Sequence, residues 1–180
     1  MKRVFKILLS ILLGIGVLCI AAYAYLGGFS TVVIEEQQMG PFTLVYKDMS
    51  GTDMSQVGAI THEIEDALRT AGFTTQKPFD VYYPDMKAEI GFIVDASEAG
   101  KLSQFGDKFK IETIPAGMYM TTTFPWKNPF SYIIGFIKVD PALEAHRMKS
   151  GYRKTWAATR HDGEYITYLQ PIVKELIAPQ

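Results

Sequence analysis

The chain has 180 residues, and its 18 Lys and Arg stand against 19 Asp and Glu, a formal net charge of −1. That balance provides no global field toward a polyanion, so a nucleic-acid partner is not expected. The one cysteine, Cys19, excludes a disulfide framework and a Cys-based metal site. Without the apolar N-terminal run, about 140 residues remain, enough for one domain with a sizeable core.

Lys2, Arg3 and Lys6 precede an uncharged stretch whose richest part, Ile7 to Leu26, is 20 residues long. At the helical rise this is about 30 Å, the thickness of a bilayer hydrocarbon core. We read residues 7–26 as a transmembrane signal anchor, so the lipid bilayer is the first expected partner. The basic cluster places residues 1–6 in the cytoplasm and the rest beyond an inner membrane, on its extracytoplasmic face. A cleaved signal peptide is the competing reading, since Ala22-Tyr23-Ala24 has the small-x-small form of a cleavage site; the length of the apolar run favours retention. Leu18, standing before Cys19, argues against lipidation. Residues 27–40, with Gly27, Gly28 and Ser30, read as a flexible linker.

From Pro41 to Lys47 large apolar and polar residues alternate, as in a strand. After Gly51-Thr52-Asp53, with Asp53 or Ser55 as cap, Val57, Ile60, Ile64, Ala67, Leu68 and Ala71 recur at helical spacing, and Gly72 provides a stop. Phe79, Val81 and Tyr83, then Ile90, Phe92 and Val94, predict a hairpin turning at Pro84-Asp85-Met86-Lys87. Asp95 to Asp107 is small and polar, a connector. A single strand is expected over 109–124, ending at Phe124-Pro125-Trp126. Asn128 as cap and Pro129 at the first helical position open a helix whose apolar residues are Phe130, Ile133, Ile134, Ile137, Leu143 and Met148. Pro141 predicts a kink or brief break near Val139-Asp140, and Gly151 the stop. Strands over 156–161 and 164–172 are joined by Asp162-Gly163, a two-residue hairpin turn.

The order strand-helix-strand-strand therefore occurs twice. The expected fold class is α+β: duplicated strand-helix-strand-strand units forming an antiparallel sheet with two helices on one face, preceded by one transmembrane helix. The domain spans 41–173, and 174–180 is a C-terminal tail. The concave side between the halves is expected to remain open.

At Ile114-Pro115-Ala116-Gly117, Thr122-Thr123-Phe124-Pro125-Trp126, Val139-Asp140-Pro141-Ala142-Leu143 and Leu169-Gln170-Pro171-Ile172, the chain resembles the gyrase-inhibitor-like (GyrI-like) small-molecule-binding superfamily. That superfamily also provides the effector-binding domains of bacterial multidrug-responsive regulators. With one membrane helix ahead of the domain, the chain is most similar to the testis-expressed endoplasmic-reticulum autophagy-receptor-like branch and its bacterial relatives. The resemblance implies the duplicated fold and a ligand cleft between the halves; it implies no reaction. Two departures stand out. Where relatives commonly carry a glutamate, an apolar residue and a tyrosine on the penultimate strand, this chain has Thr159-Arg160-His161. The autophagy branch has a long acidic tail, whereas eight residues follow Ile172 here, so an autophagy role is not expected.

The candidate ligand-binding residues are Tyr46, Tyr82, Tyr119, Thr121, Thr123, Trp126, Trp156 and Tyr168, aromatic faces and strand hydroxyls suited to an aromatic or amphiphilic small molecule. Tyr119, Thr121 and Thr123 share one face of their strand, opposite Met118, Met120, Thr122 and Phe124. His62, His146 and His161 lie on separate elements without ligand spacing, so no metal is expected; nor is any other cofactor. The leading expectation is a membrane-anchored, non-catalytic small-molecule-binding domain with no identified protein partner. One alternative is a hydrolase of the same superfamily using a cleft carboxylate, Glu89, Glu112 or Glu164. Another is a protein-interaction scaffold working through a sheet edge or the basic surface around Lys127, Lys138, Arg147, Lys149, Arg153 and Lys154.

Overall fold

The computed structural model describes residues 2–49, 55–74 and 76–174. It begins with α1 (Lys2–Tyr25), then β1 (Glu35–Met39), β2 (Phe42–Met49), α2 (Ser55–Thr70), β3 (Gln76–Tyr82) and β4 (Ala88–Val94). A 3-10 run over Ala96–Phe105 leads to β5 (Lys110–Ile114), β6 (Gly117–Pro125), α3 (Phe130–Ser150), β7 (Ala157–Asp162) and β8 (Tyr165–Pro171). The expected cap Asp53 and all of the expected tail beyond Lys174 lie outside the described residues.

All eight strands form one curled antiparallel sheet in the order β1-β6-β8-β7-β3-β4-β2-β5. Read outward from the central β7–β3 pair, each side meets the same elements: second strand, third strand, first strand of a repeat, then an edge strand. The expected duplication is thus present, and the repeat is longer than expected. Each half opens with a lead strand that pairs with the other half: β1 precedes β2 but pairs with β6, and β5 precedes β6 but pairs with β2. The stretch expected as a linker therefore supplies β1, and the strand expected over 109–124 is two strands turning at Pro115-Ala116. The two corners meet, since a Cβ on Gly40 would lie 3.2 Å from the backbone of Pro115 and Ala116. Exchanging lead strands covers the outer edges of β6 and β2, which would otherwise present unpaired backbone groups.

Strand parity divides the side chains between two faces. The concave face carries Phe42, Leu44, Phe79, Val81, Ala158 and Leu169, which form one buried cluster with Tyr46, Ile114 and Tyr119. On the opposite face, α2 packs Ile64 and Leu68 against Val45, Phe92 and Val94. There α3 covers Met120, Phe124, Ile166 and Tyr168 with Val139 and Leu143. Full burial of one such side chain contributes about 1.5–3 kcal/mol.

Asn128 Oδ1 accepts from the Phe130 N–H at 2.9 Å, and Gly151 (φ 68°) stops α3, both as the sequence predicts. Pro141 sits inside α3, which runs through it without a break. The side of α3 that meets the sheet is also a surprise. It carries Ser131, Gly135, Val139 and Leu143, while Phe130, Ile133, Ile137 and Met148 face outward.

Candidate functional site

A cavity of about 630 Å³ opens at one end of the concave face, beyond the packed cluster. Four connections wall it: the β5–β6 corner, the start of the β3–β4 turn, the segment between α3 and β7, and the end of β8. Tyr119 and Trp156 form an aromatic wall, their rings 6.0 Å apart and tilted by 56°. Facing them are Val81, Tyr83, Glu89, Glu112 and Ile114, and Arg153 and Lys154 stand exposed at the rim.

Two carboxylates line the cavity, Glu89 half-buried and Glu112 exposed. Tyr83 donates its hydroxyl to Glu89 Oε1 at 3.0 Å, and Tyr46 reaches Glu112 Oε2 at 3.5 Å. Burial pushes the Glu89 carboxyl above its ordinary range; the Tyr83 hydrogen bond opposes the shift and the negative charge of Glu112 adds to it. The Tyr46 phenol is pushed up to about 12, chiefly by burial and then by the charges of Glu89 and Glu112. Both tyrosines therefore remain neutral donors, and the two carboxylates share the cavity with aromatic rings and with the Arg153 and Lys154 cations at its rim.

The structure distributes the sequence-selected residues over several places. Tyr119 and Trp156 line the cavity, and Tyr46 stands behind it through Glu112. Thr121 and Thr123 lie in a separate depression of about 220 Å³ beside β1, where Gln37 Nε2 donates to Thr121 Oγ1 at 2.7 Å. Tyr82, Tyr168 and Trp126 belong to the helix-covered side. Trp126 packs edge-on against His161 (4.7 Å) and Tyr132 (5.1 Å), and Tyr168 lies in the α3 cluster. Tyr83 was not selected from the sequence, and Glu89 and Glu112 were selected only as possible acids. Alternation marks all three: Tyr83 follows Phe79 and Val81 on the inward face, Glu89 is cross-strand from Val81, and Glu112 is two residues before Ile114.

The other end of the concave face is built differently. There Asp162 accepts from Lys77 Nζ at 2.8 Å, Arg160 Nε at 2.6 Å and Thr167 Oγ1 at 2.9 Å. Arg160, in the stretch where the resemblance anticipates a glutamate, is thus held in an ion-paired cluster beside a smaller hollow of about 340 Å³. Among the described residues, no three His, Cys, Asp or Glu side chains are grouped to hold a metal ion.

This architecture, a curled antiparallel sheet with duplicated halves and an open concave side, recurs among solved structures. No family model and no curated protein matches the chain. Among solved structures, the EcmrR C-terminal domain superposes with a TM-score of 0.55 at 17% identity, over 79% of this chain and 98% of that one. SAV2435 bound to tetraphenylphosphonium gives 0.56 at 15% identity, over 80% and 95%. EcmrR in its complex with DNA gives 0.62 at 16% identity, over 96% of this chain and 70% of that chain. These likenesses show the fold. The last one corrects the expectation that no nucleic acid is involved: the same fold occurs in a protein solved on DNA, so a balanced net charge does not exclude such a partner.

Proposed function

We propose that this protein is a membrane-anchored member of the GyrI-like superfamily that binds a bulky organic cation in the concave cavity, without catalysis. The observation that carries this reading is the pair Glu89 and Glu112 set among Tyr83, Tyr119 and Trp156. An aromatic cation gains ring contacts and a counter-charge there, while a neutral or anionic analogue gains only the first. The ligand of SAV2435, tetraphenylphosphonium, has this chemistry. The anchor is α1, a helix long and apolar enough to cross a bilayer and exposed along its length. The basic residues at its N-terminal end, Lys2, Arg3 and Lys6, orient the domain to the extracytoplasmic side.

Calorimetry on the full chain in detergent, with tetraphenylphosphonium and its isosteric anion tetraphenylborate, tests the reading. Saturable binding of the cation alone, abolished in the Glu89→Gln/Glu112→Gln variant, is expected. Equal binding of both ions, or binding indifferent to the double substitution, contradicts it.

A second reading, hydrolysis, is favoured by one observation: Glu89 combines a raised carboxyl with a hydrogen-bonded Tyr83 at the cavity wall. Such a carboxylate could accept a proton from water. Turnover of an aryl ester panel that disappears in Glu89→Gln would favour it over simple binding.

A further inference from the structure

The chain leaves α1 by a fixed route. The Gly28 N–H bonds the Tyr23 carbonyl at 2.8 Å, and Gly27 is buried against Phe124 and Pro125 at the end of β6. Lys138, midway along α3, donates to the carbonyls of Gly28 at 2.6 Å and Ser30 at 2.5 Å. Further along, β1 is tied to the end of α3, because Glu36 bonds His146 at 2.9 Å and Tyr152 at 3.0 Å. The stretch expected to be flexible is therefore bonded to α3 at two points, the first within five residues of the end of α1.

The outer face of α3 beside that clamp is apolar. Phe130 is 64% exposed, Ile133 55%, Phe136 51% and Ile137 66%. These residues cover the first two turns of the helix on its solvent side, with no charged side chain among them until Lys138. Phe29 and Val33, on the clamped segment, are exposed as well. Patches of this kind on a soluble surface mark an interface.

We propose that this face of α3 is a membrane-docking surface, with Phe130, Ile133, Phe136 and Ile137 inserted at the headgroup–acyl boundary of the leaflet from which α1 emerges. The proposal rests on reading α1 as a membrane anchor and adds the posture of the domain. Geometry supports the bilayer as the occupant. Ile133 lies about 8 Å and Phe130 about 12 Å along the helix from Lys138, by the helical rise, so the patch starts next to where the chain leaves the membrane. Interfacial helices bury their apolar face about 5–10 Å into that boundary. Docking there brings the β1 edge and the end of the sheet near α1 toward the lipid and holds the domain in a fixed orientation.

The test uses the full chain with Cys19→Ser, reconstituted in phosphatidylcholine/phosphatidylglycerol vesicles and labelled with an environment-sensitive fluorophore at one introduced cysteine. The sites are Ile133→Cys and Ile137→Cys on α3, His62→Cys on the outer face of α2, and Leu12→Cys in α1. Thermal unfolding in detergent confirms that each labelled protein is folded. Blue-shifted emission at 133 and 137, quenched by shallow doxyl lipids, with the label at 62 unshifted and unquenched, is the expected result. If 12 is lipid-quenched while 133 and 137 are as wet as 62, the anchor stands and the docking face is overturned. If 12 is not lipid-quenched, the anchor reading fails, whatever the α3 labels do. Labels at 133 and 137 that are dry but unquenched by lipid, and that cross-link in pairs, assign the face to a second copy and also overturn the proposal.

Discussion

Helices α2 and α3 hold equivalent places in the two halves, one over β2 and β4, the other over β6 and β8, and they divide their side chains in opposite ways. In α2 the large residues Ile64 and Leu68 face the sheet, and His62, Glu63, Asp66 and Arg69 face out. In the first turns of α3 the sheet side is small, Ser131 and Gly135, and the large residues Phe130, Ile133 and Ile137 face out. The volume that α2 contributes to its interface is supplied in the second half by the sheet: Phe124 and Tyr168 reach up to Gly135, where an added Cβ would fall 2.3 Å from the Tyr168 hydroxyl. Duplication has kept the backbone plan while moving the bulk across the interface, which released one helix face for another use.

That contrast can be broken at either helix. The largest expected effect is Leu68→Ala in α2, which empties a fully buried site and should cost about 2–5 kcal/mol by chemical denaturation. Next, Gly135→Ala in α3 should cost about 1–3 kcal/mol through overpacking. Adding Tyr168→Phe, which removes the obstructing hydroxyl, should recover much of that loss. No recovery would show that α3 is not held against the sheet at that point.

Asp80, on the helix side of β3, sharpens the comparison, since it lies at the seam between the halves as the cross-strand partner of Thr159. Burial pushes its carboxyl from 3.8 up to about 7, offset in part by a hydrogen bond from the Gly91 backbone. The folded state thus holds the proton more tightly than the unfolded chain. Stability from this group is highest below about pH 4, falls as pH rises, and reaches its minimum above about pH 7. Asp80→Asn should flatten that slope, leave pH 4 stability almost unchanged, and raise stability at pH 8 by on the order of 1–2 kcal/mol. The smallest effect is expected for Ile137→Ser on the outer face of α3, within about 0.5 kcal/mol in detergent. A core-sized loss there would mean that this face packs against protein.

The sequence made the repeat legible because the helical period of α2, the alternation of β3 and β4, and the Asp162-Gly163 turn between β7 and β8 each match one structure. It concealed the lead strands. In β1, Glu35-Glu36-Gln37-Gln38 carries no apolar alternation, because its pairing with β6 depends on backbone hydrogen bonds and on Gln37 meeting Thr121. In α3, apolar residues on both faces left no period to choose the buried side, and the larger set was the outer one. For the site, aromatic content pointed to Tyr119 and Trp156, but Tyr82 and Tyr168 carried the same signal from the opposite face. Only parity carried through the strand pairings tells them apart.

The two tryptophans turn that difference into a direct measurement. Trp156 lines the cavity and Trp126 lies across the sheet with Tyr132 and His161. Tetraphenylphosphonium titrated into the full chain should change the emission of Trp156, the tryptophan left in Trp126→Phe, in a saturable way. The effect should weaken as acid neutralises Glu89, which titrates above the ordinary glutamate range. In Trp156→Phe, where Trp126 reports alone, the emission should stay flat. A saturable change at Trp126 with none at Trp156 would contradict the placement of the ligand in the concave cavity.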